Sequence, residues 1–306
     1  MVMYPVRIAG LILFSLAVFC PAAFGAGHGQ EMSFVQAVIL GVTEGLTEYL
    51  PVSSTGHLYL VSRLLGIGVS PEGKAASDAY VIAIQIGAIL AVLLLYPRRV
   101  SSMLLGLLGR DAKGLTLALN TCAAFLPAAF IGLLLEHVIK DYLFGVWPVT
   151  AAWLAGGIAI ILVARRIHLH HEQGLDLGEL TLKGALIIGL IQCIAMWPGV
   201  SRSLVTILGG ILVGLSVQAA VEFSFILGLV TLGAATCYEL VREGTGMILQ
   251  FGWVSPAIGI VTAFLSAVVA VKWMVSYLNR HGLEIFGYYR IVLAFFTMAL
   301  ILIGVV

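Results

Sequence analysis

The sequence predicts an all-α integral membrane protein, with six transmembrane helices plus two re-entrant broken-helix segments arranged as an inverted-topology repeat. Three observations predict it. Of 306 residues, 61% are hydrophobic and only 10% charged, with a mean hydropathy of +1.09, whereas soluble domains carry about 25% charged residues. That much apolar surface requires lipid as its solvent. Six stretches are apolar over roughly the 20 residues a bilayer crossing needs. Two others, "AVILGVTEGLTEYLPVSSTGHL" (37–58) and "ALIIGLIQCIAMWPGVSRSLVT" (185–206), are apolar, then broken by Pro and Gly, then rich in Ser.

The chain begins with an extension, residues 1–30, that carries Arg7, an apolar run from Ile8 to Phe19 and mostly small residues from Ala22 to Gly27. This is the layout of a signal peptide or an uncleaved anchor, and a natural start at Met32 is a third reading. Residues 31–306 then form one membrane domain, with repeat 1 over about 31–165 and repeat 2 over about 180–306. The spans fall near 79–96, 115–135, 146–164, 219–238, 254–278 and 287–306. Regions 97–114, 165–183 and 272–290 hold ten of the sixteen basic residues, Arg290 among them. They share one side if the spans alternate, so that side is expected to be cytoplasmic.

The two broken segments align at an offset of 148: Ala37 with Ala185, Gly41 with Gly189, Glu44 with Gln192, Ser53 with Ser201, Ser54 with Arg202 and Thr55 with Ser203. Pro51 and Pro198 are one position out of step. Each broken segment is followed by three spans. A re-entrant segment plus three spans is an odd number of crossings, so the second unit inserts upside down. Non-helical backbone is tolerated at membrane depth only where protein or a water-filled cavity covers it. The loops "PVSSTGH" and "PGVSRS" are therefore expected to face each other across a wet cavity.

That cavity would hold concentrated chemistry. Arg202 lies amid apolar sequence, where charged residues usually face the bundle interior, are paired and are functional. A guanidinium suits phosphate oxygens, and Ser201, Ser203 and Thr206 add hydroxyls. The plainer reading of Arg202, a pairing with Glu44 or Glu48 that staples the repeats, is compatible with that role. Glu44 and Glu48 share a helix face at i, i+4. The pair can hold a divalent cation, or one member can act as a base. Ser53, Ser54 and Thr55 are candidate nucleophiles or phosphate-binding donors, and His57 is a candidate proton shuttle.

Other chemistries fit less well. A net charge of +1 gives no case for nucleic acid. Cys20, Cys122, Cys193 and Cys237 lie in apolar stretches with no C-x-x-C pair, and read as small buried hydrophobes. His168, His170 and His171 sit in a basic loop without a Cys partner and read as solvated. No H-E-x-x-H is present, "GVSRS" lacks the last glycine of G-x-S-x-G, and no histidine follows Arg202 before His281.

Both motifs closely resemble those of the undecaprenyl-diphosphate phosphatase, or bacitracin-resistance, family. "EGLTEYLPVSSTGHL" is similar to its acidic motif and "PGVSRS" to its arginine motif, and the likeness runs from about Met32 to the C-terminus through "IQIGAILAVLLLY" and "VEFSFILG". The resemblance implies an inner-membrane enzyme that removes the terminal phosphate of undecaprenyl diphosphate to recycle the lipid carrier for peptidoglycan synthesis, and so confers bacitracin resistance. By motif match, Glu44, Glu48, Ser54, His57 and Arg202 correspond to the catalytic set, with Ser53, Thr55, Ser201, Ser203 and Thr206 supporting. Glu44 and Glu48 would hold Mg²⁺ or Ca²⁺ on the diphosphate, or serve as base. Either Ser54 or His57 would attack phosphorus, or His57 would activate water. The implied partners are a polyprenyl diphosphate lipid and membrane lipid, with room for a homodimer. The active site is expected to face the periplasm. A polyprenyl-phosphate transporter using the same midplane cavity is the alternative. One departure stands out: the family's glycine after "SRS" is Leu204 here.

Overall fold

A computed structural model describes residues 32–68, 71–167 and 174–306. The extension 1–30 and the histidines His168, His170 and His171 lie outside the described residues. Those described are helical, with no strand and one isolated bridge between Leu175 and Leu215. In chain order the helices are α1 (Phe34–Thr47), α2 (Ser54–Leu64), α3 (Pro71–Leu95), α4 (Pro97–Leu107), α5 (Ala112–Tyr142), α6 (Val146–Ile167), α7 (Leu182–Gln192), α8 (Arg202–Leu212), α9 (Val217–Phe251), α10 (Val254–Leu278) and α11 (Glu284–Leu302). Six of them, α3, α5, α6, α9, α10 and α11, are long and apolar enough to cross a bilayer.

Most of these helices outrun their expected spans. The regions expected as loops at 136–147 and 239–253 are largely helix, the ends of α5 and α9. A helix satisfies its own backbone beyond the hydrocarbon, and the charges there pair, with Arg242 Nη1 2.8 Å from Glu136 Oε1. The region 97–114 holds α4, which starts with Pro97 in its first turn and exposes Leu104, Leu105 and Leu107. The reading of the cysteines as buried is corrected: Cys122 and Cys237 are exposed. In a protein whose surroundings are themselves apolar, an apolar stretch does not imply burial.

The two broken segments each return to the level at which they begin. At the start of α1, Ser33 and Gln36 form a reciprocal cap, and the Gln36 amide also donates to the carbonyl of Leu65, just past the end of α2, at 3.2 Å. In the second segment, the Leu175 amide donates to the Gly214 carbonyl (2.8 Å) and the Ser216 amide to the Leu175 carbonyl (3.0 Å). That joins the chain ahead of α7 to the chain behind α8.

These two mouths lie on opposite sides of the molecule. The first sits beside the start of α10, where the Ser255 hydroxyl donates to the Met32 carbonyl at 3.1 Å. The second sits beside the start of α9, at Ser216. Between them runs α9, 35 residues, or about 50 Å at 1.5 Å per residue. The ends of α3 and α6 and the start of α5 fall on the second side, and Arg99 there pairs with Glu222 on α9 at 2.7 Å. This geometry is what an inverted arrangement of the two segments requires.

The packing is reciprocal as well. Helix α1 packs on α10, and α7 on α5, so each broken segment leans on a helix from the other half. Glycine makes both contacts close. A Cβ at Gly41 would overlap the backbone of Gly259, and one at Gly189, the matching position, would overlap the backbone of Ala124.

Candidate active site

Both chain breaks are built the same way. The first runs from Glu48 to Ser53, the second from Cys193 to Ser201. Ser53 (φ 73°, ψ 98°) and Ser201 (φ 81°, ψ 115°) are the two non-glycine residues with positive φ among the described residues. They match at the offset of 148 and each caps an 11-residue helix: Ser53 Oγ accepts from the Gly56 amide and Ser201 Oγ from the Leu204 amide. A left-handed serine costs about 1–3 kcal/mol and persists only where its surroundings enforce it. The strain turns the chain so that Ser54 and Arg202 become the first residues of α2 and α8, at helix ends that carry partial positive charge.

The tips of the two segments meet. Arg202 Nη2 donates to Glu48 Oε1 at 2.8 Å, and the Ser54 hydroxyl donates to Glu48 Oε2. Arg202 Nη1 donates to the Ser224 carbonyl at 2.8 Å, and its guanidinium stands 5.8 Å from the centre of the Tyr49 ring. The Ser203 hydroxyl donates to the Leu50 carbonyl at 2.9 Å, a direct bond between tips. Thr206 bonds the Arg202 carbonyl (2.9 Å) and the Ser224 hydroxyl (2.7 Å). Ser201 and Ser203 share a hydrogen bond of 2.9 Å. Thr55 is half-buried at α2's first turn and makes none of these contacts.

Three polar atoms here are buried without a hydrogen-bond partner: both carboxylate oxygens of Glu44, and Nε of Arg202. An unpartnered carboxylate is costly at such a site, so the arrangement offers two acceptors and one donor to whatever occupies it. Those hard oxygens suit a divalent cation. Among the described residues no cluster of three or more His, Cys, Asp or Glu completes a protein-only metal site.

His57 is turned away from this cluster. Its Nδ1 lies 2.7 Å from the Ser53 carbonyl, which can only accept, so Nδ1 carries the proton. Its Nε2 lies 2.8 Å from the Tyr289 hydroxyl. The ring is stacked on Tyr289 and edge-on to Trp153, and is buried.

A family model described as bacitracin resistance protein BacA matches residues 37–296. The chain belongs to the BacA family. A relative from Sorangium cellulosum, named undecaprenyl-diphosphatase, is 45% identical over 86% of this chain and 84% of its own length. A Rhodospirillum rubrum relative, undecaprenyl-diphosphatase 2, is 42% identical over 87% and 94%. One from Aquifex aeolicus is 42% identical over 84% and 94%.

Against the BacA pattern, Leu204 is explained. It is helical and buried, and the positive φ falls three residues earlier, on Ser201. The matching Gly56 is needed because a Cβ there would lie 2.7 Å from the Trp153 ring.

Residues that motif reading passed over complete the site. Ser224 and Tyr49 seat Arg202. Gly228 on α9 makes room for it, since a Cβ there would lie 2.6 Å from Nη1 and 2.8 Å from Cζ. The side chain of Arg290 is fully buried, which corrects its place among the basic residues of a cytoplasmic loop. The signal that marked Arg202, a charge amid apolar sequence, was present in "YYRIVLAFF" too.

Proposed function

We propose that this protein is an undecaprenyl-diphosphate phosphatase of the inner membrane, which returns the lipid carrier to peptidoglycan synthesis as the monophosphate and thereby confers bacitracin resistance. One observation carries the reading: Glu48 receives the Ser54 hydroxyl on one oxygen and Arg202 on the other, so a nucleophile, a base and a phosphate clamp from two segments 148 residues apart form one unit. Glu48 takes the Ser54 proton as Ser54 Oγ attacks the terminal phosphorus. The bond to the bridging oxygen breaks, and the lipid monophosphate leaves. Arg202 and the helix N-termini stabilise the charge on the transferring group. Water then hydrolyses the phosphoserine. His57 is spoken for on both nitrogens and serves to hold Ser53. Ser201, Ser203 and Thr206 brace Arg202 and the facing tip.

Glu44, whose two carboxylate oxygens are unpartnered, would hold Mg²⁺ or Ca²⁺ beside Glu48, and such an ion would supply charge neutralisation to the diphosphate. Chelation of purified protein is expected to abolish turnover reversibly; activity indifferent to chelator would remove the ion from the account.

With Arg202 and Arg290 placed at the tips, nine basic residues among those described belong to the side of the second mouth and four to the side of the first. The bias supports a cytoplasmic second mouth and a first segment entering from the periplasm. The transporter reading shares the repeat architecture, but Arg202–Glu48 and Ser203–Leu50 bind the tips together. Detergent-solubilised full-length protein, with no membrane to cross, should release inorganic phosphate from polyprenyl diphosphate. Absence of release, with lipid movement retained in vesicles, would favour the transporter.

Gly228→Ala gives a further check. Alanine is worth up to about 1 kcal/mol over glycine inside a helix, which offsets part of the cost of disturbing the buried Arg202–Glu48 pair, so the protein should stay folded. Turnover should nevertheless fall about 100-fold as the Arg202 fork is displaced. Unchanged turnover would show that the seat of Arg202 does not matter.

A further inference from the structure

Arg290 does not touch the Ser54–Glu48–Arg202 unit, yet it binds both breaks that make the unit. Its Nη2 donates to the Gly199 carbonyl at 2.8 Å and the Ala152 carbonyl at 2.9 Å, its Nη1 to the Pro51 carbonyl at 3.3 Å, and its Nε to the Trp153 carbonyl at 3.3 Å. Pro51 and Gly199 are 148 residues apart. They are the same position in the two repeats, so one guanidinium, on a helix outside both segments, holds the equivalent carbonyl of each. Two residues further on stand the left-handed Ser53 and Ser201, and after those Ser54 and Arg202.

None of these partners is a carboxylate. A full charge buried against carbonyls is expensive to keep, and α11 also meets α6 at Gly157 and Gly287, where neither helix has room for a Cβ. Gly156 leaves the space the fork needs, since a Cβ there would lie 2.8 Å from Arg290 Cζ and 3.0 Å from its Nε. The neighbouring Tyr289 reaches His57, whose other nitrogen holds the Ser53 carbonyl. One turn of α11 thus grips the first break at two points and the second break at one.

We infer that Arg290 is a positioning residue for the phosphate site: its planar fork sets the register of the two tips, and with it the approach of Ser54 and Glu48 to Arg202. This rests on the phosphatase reading. Lysine, with one compact ammonium in place of the fork, cannot span both carbonyls.

The test uses full-length protein in detergent with Arg290→Ala, Arg290→Lys and Gly156→Ala, the last displacing the guanidinium without removing it. All three should lower kcat about 100-fold, the cost of an ångström-scale misplacement, with KM within about threefold of wild type. Guanidinium ion at a non-denaturing concentration should restore part of kcat to Arg290→Ala, and ammonium ion should not. Hydrogen exchange gives a readout independent of activity: protection should fall in both breaks, 48–53 and 193–201, and hold in α6 and α11. A rise in KM at constant kcat would make Arg290 a substrate contact and overturn the inference. Unchanged kcat would also overturn it, as would loss of protection throughout α6 and α11 without guanidinium rescue, which marks a scaffold role. A wild-type protein that releases no phosphate would instead fail the phosphatase reading, and the exchange pattern would still decide the register.

Discussion

Arg202→Ala should lower kcat/KM for phosphate release by about 10³–10⁵-fold, the range an arginine commands in phosphoryl transfer. The side chain is held on both flanks, by the Ser224 carbonyl and by Glu48, and its Nε remains unengaged. The donor is therefore aimed before substrate arrives, and no reorganisation is needed at the moment of reaction. Truncation would also leave Glu48 buried with one partner fewer, which adds to the loss. Arg202→Lys keeps the charge but not the fork, and should recover only a minor part. Turnover of purified, monodisperse Arg202→Ala within tenfold of wild type would remove the clamp from the mechanism.

Ser54→Ala should cost about 10⁴-fold, while His57→Asn should cost far less, about tenfold. No serine means no covalent intermediate, and removing a nucleophile or its base forfeits the steps they enable. The hydroxyl already donates to Glu48, the base that would take its proton. His57 stands elsewhere, with Nδ1 on the Ser53 carbonyl and Nε2 on Tyr289. Its loss loosens Ser53 and so displaces Ser54 slightly. The comparison reads directly from kcat of the two variants; a larger loss at His57 than at Ser54 would reverse the assignment.

The sequence disclosed the main features because lipid makes polarity conspicuous. Glu44, Glu48 and Arg202 stand out in apolar surroundings, and the offset of 148 matched Ser53 with Ser201, although nothing in the sequence marked either as left-handed. Helix ends were less legible. Charges such as Glu136 and Arg242 read as loop, yet they pair across helices that extend past the hydrocarbon. The role of His57 was hidden because Tyr289, its partner, is 232 residues away. Arg290 was obscured by neighbouring Lys272 and Arg280, which made it look like one more loop cation. The glycines behind the two arginines carry no motif. Gly156 and Gly228 matter only for the volume they leave empty, which needs the packed helices to be seen.

The most direct measurement is a rapid quench of the wild-type protein with polyprenyl diphosphate radiolabelled on its terminal phosphate. The expected product is an acid-stable, alkali-labile phosphoserine that maps to Ser54, persists in His57→Asn and is absent from Ser54→Ala. An acid-labile phosphohistidine, or label transferred to water with no protein-bound phosphate at any time point, would contradict it.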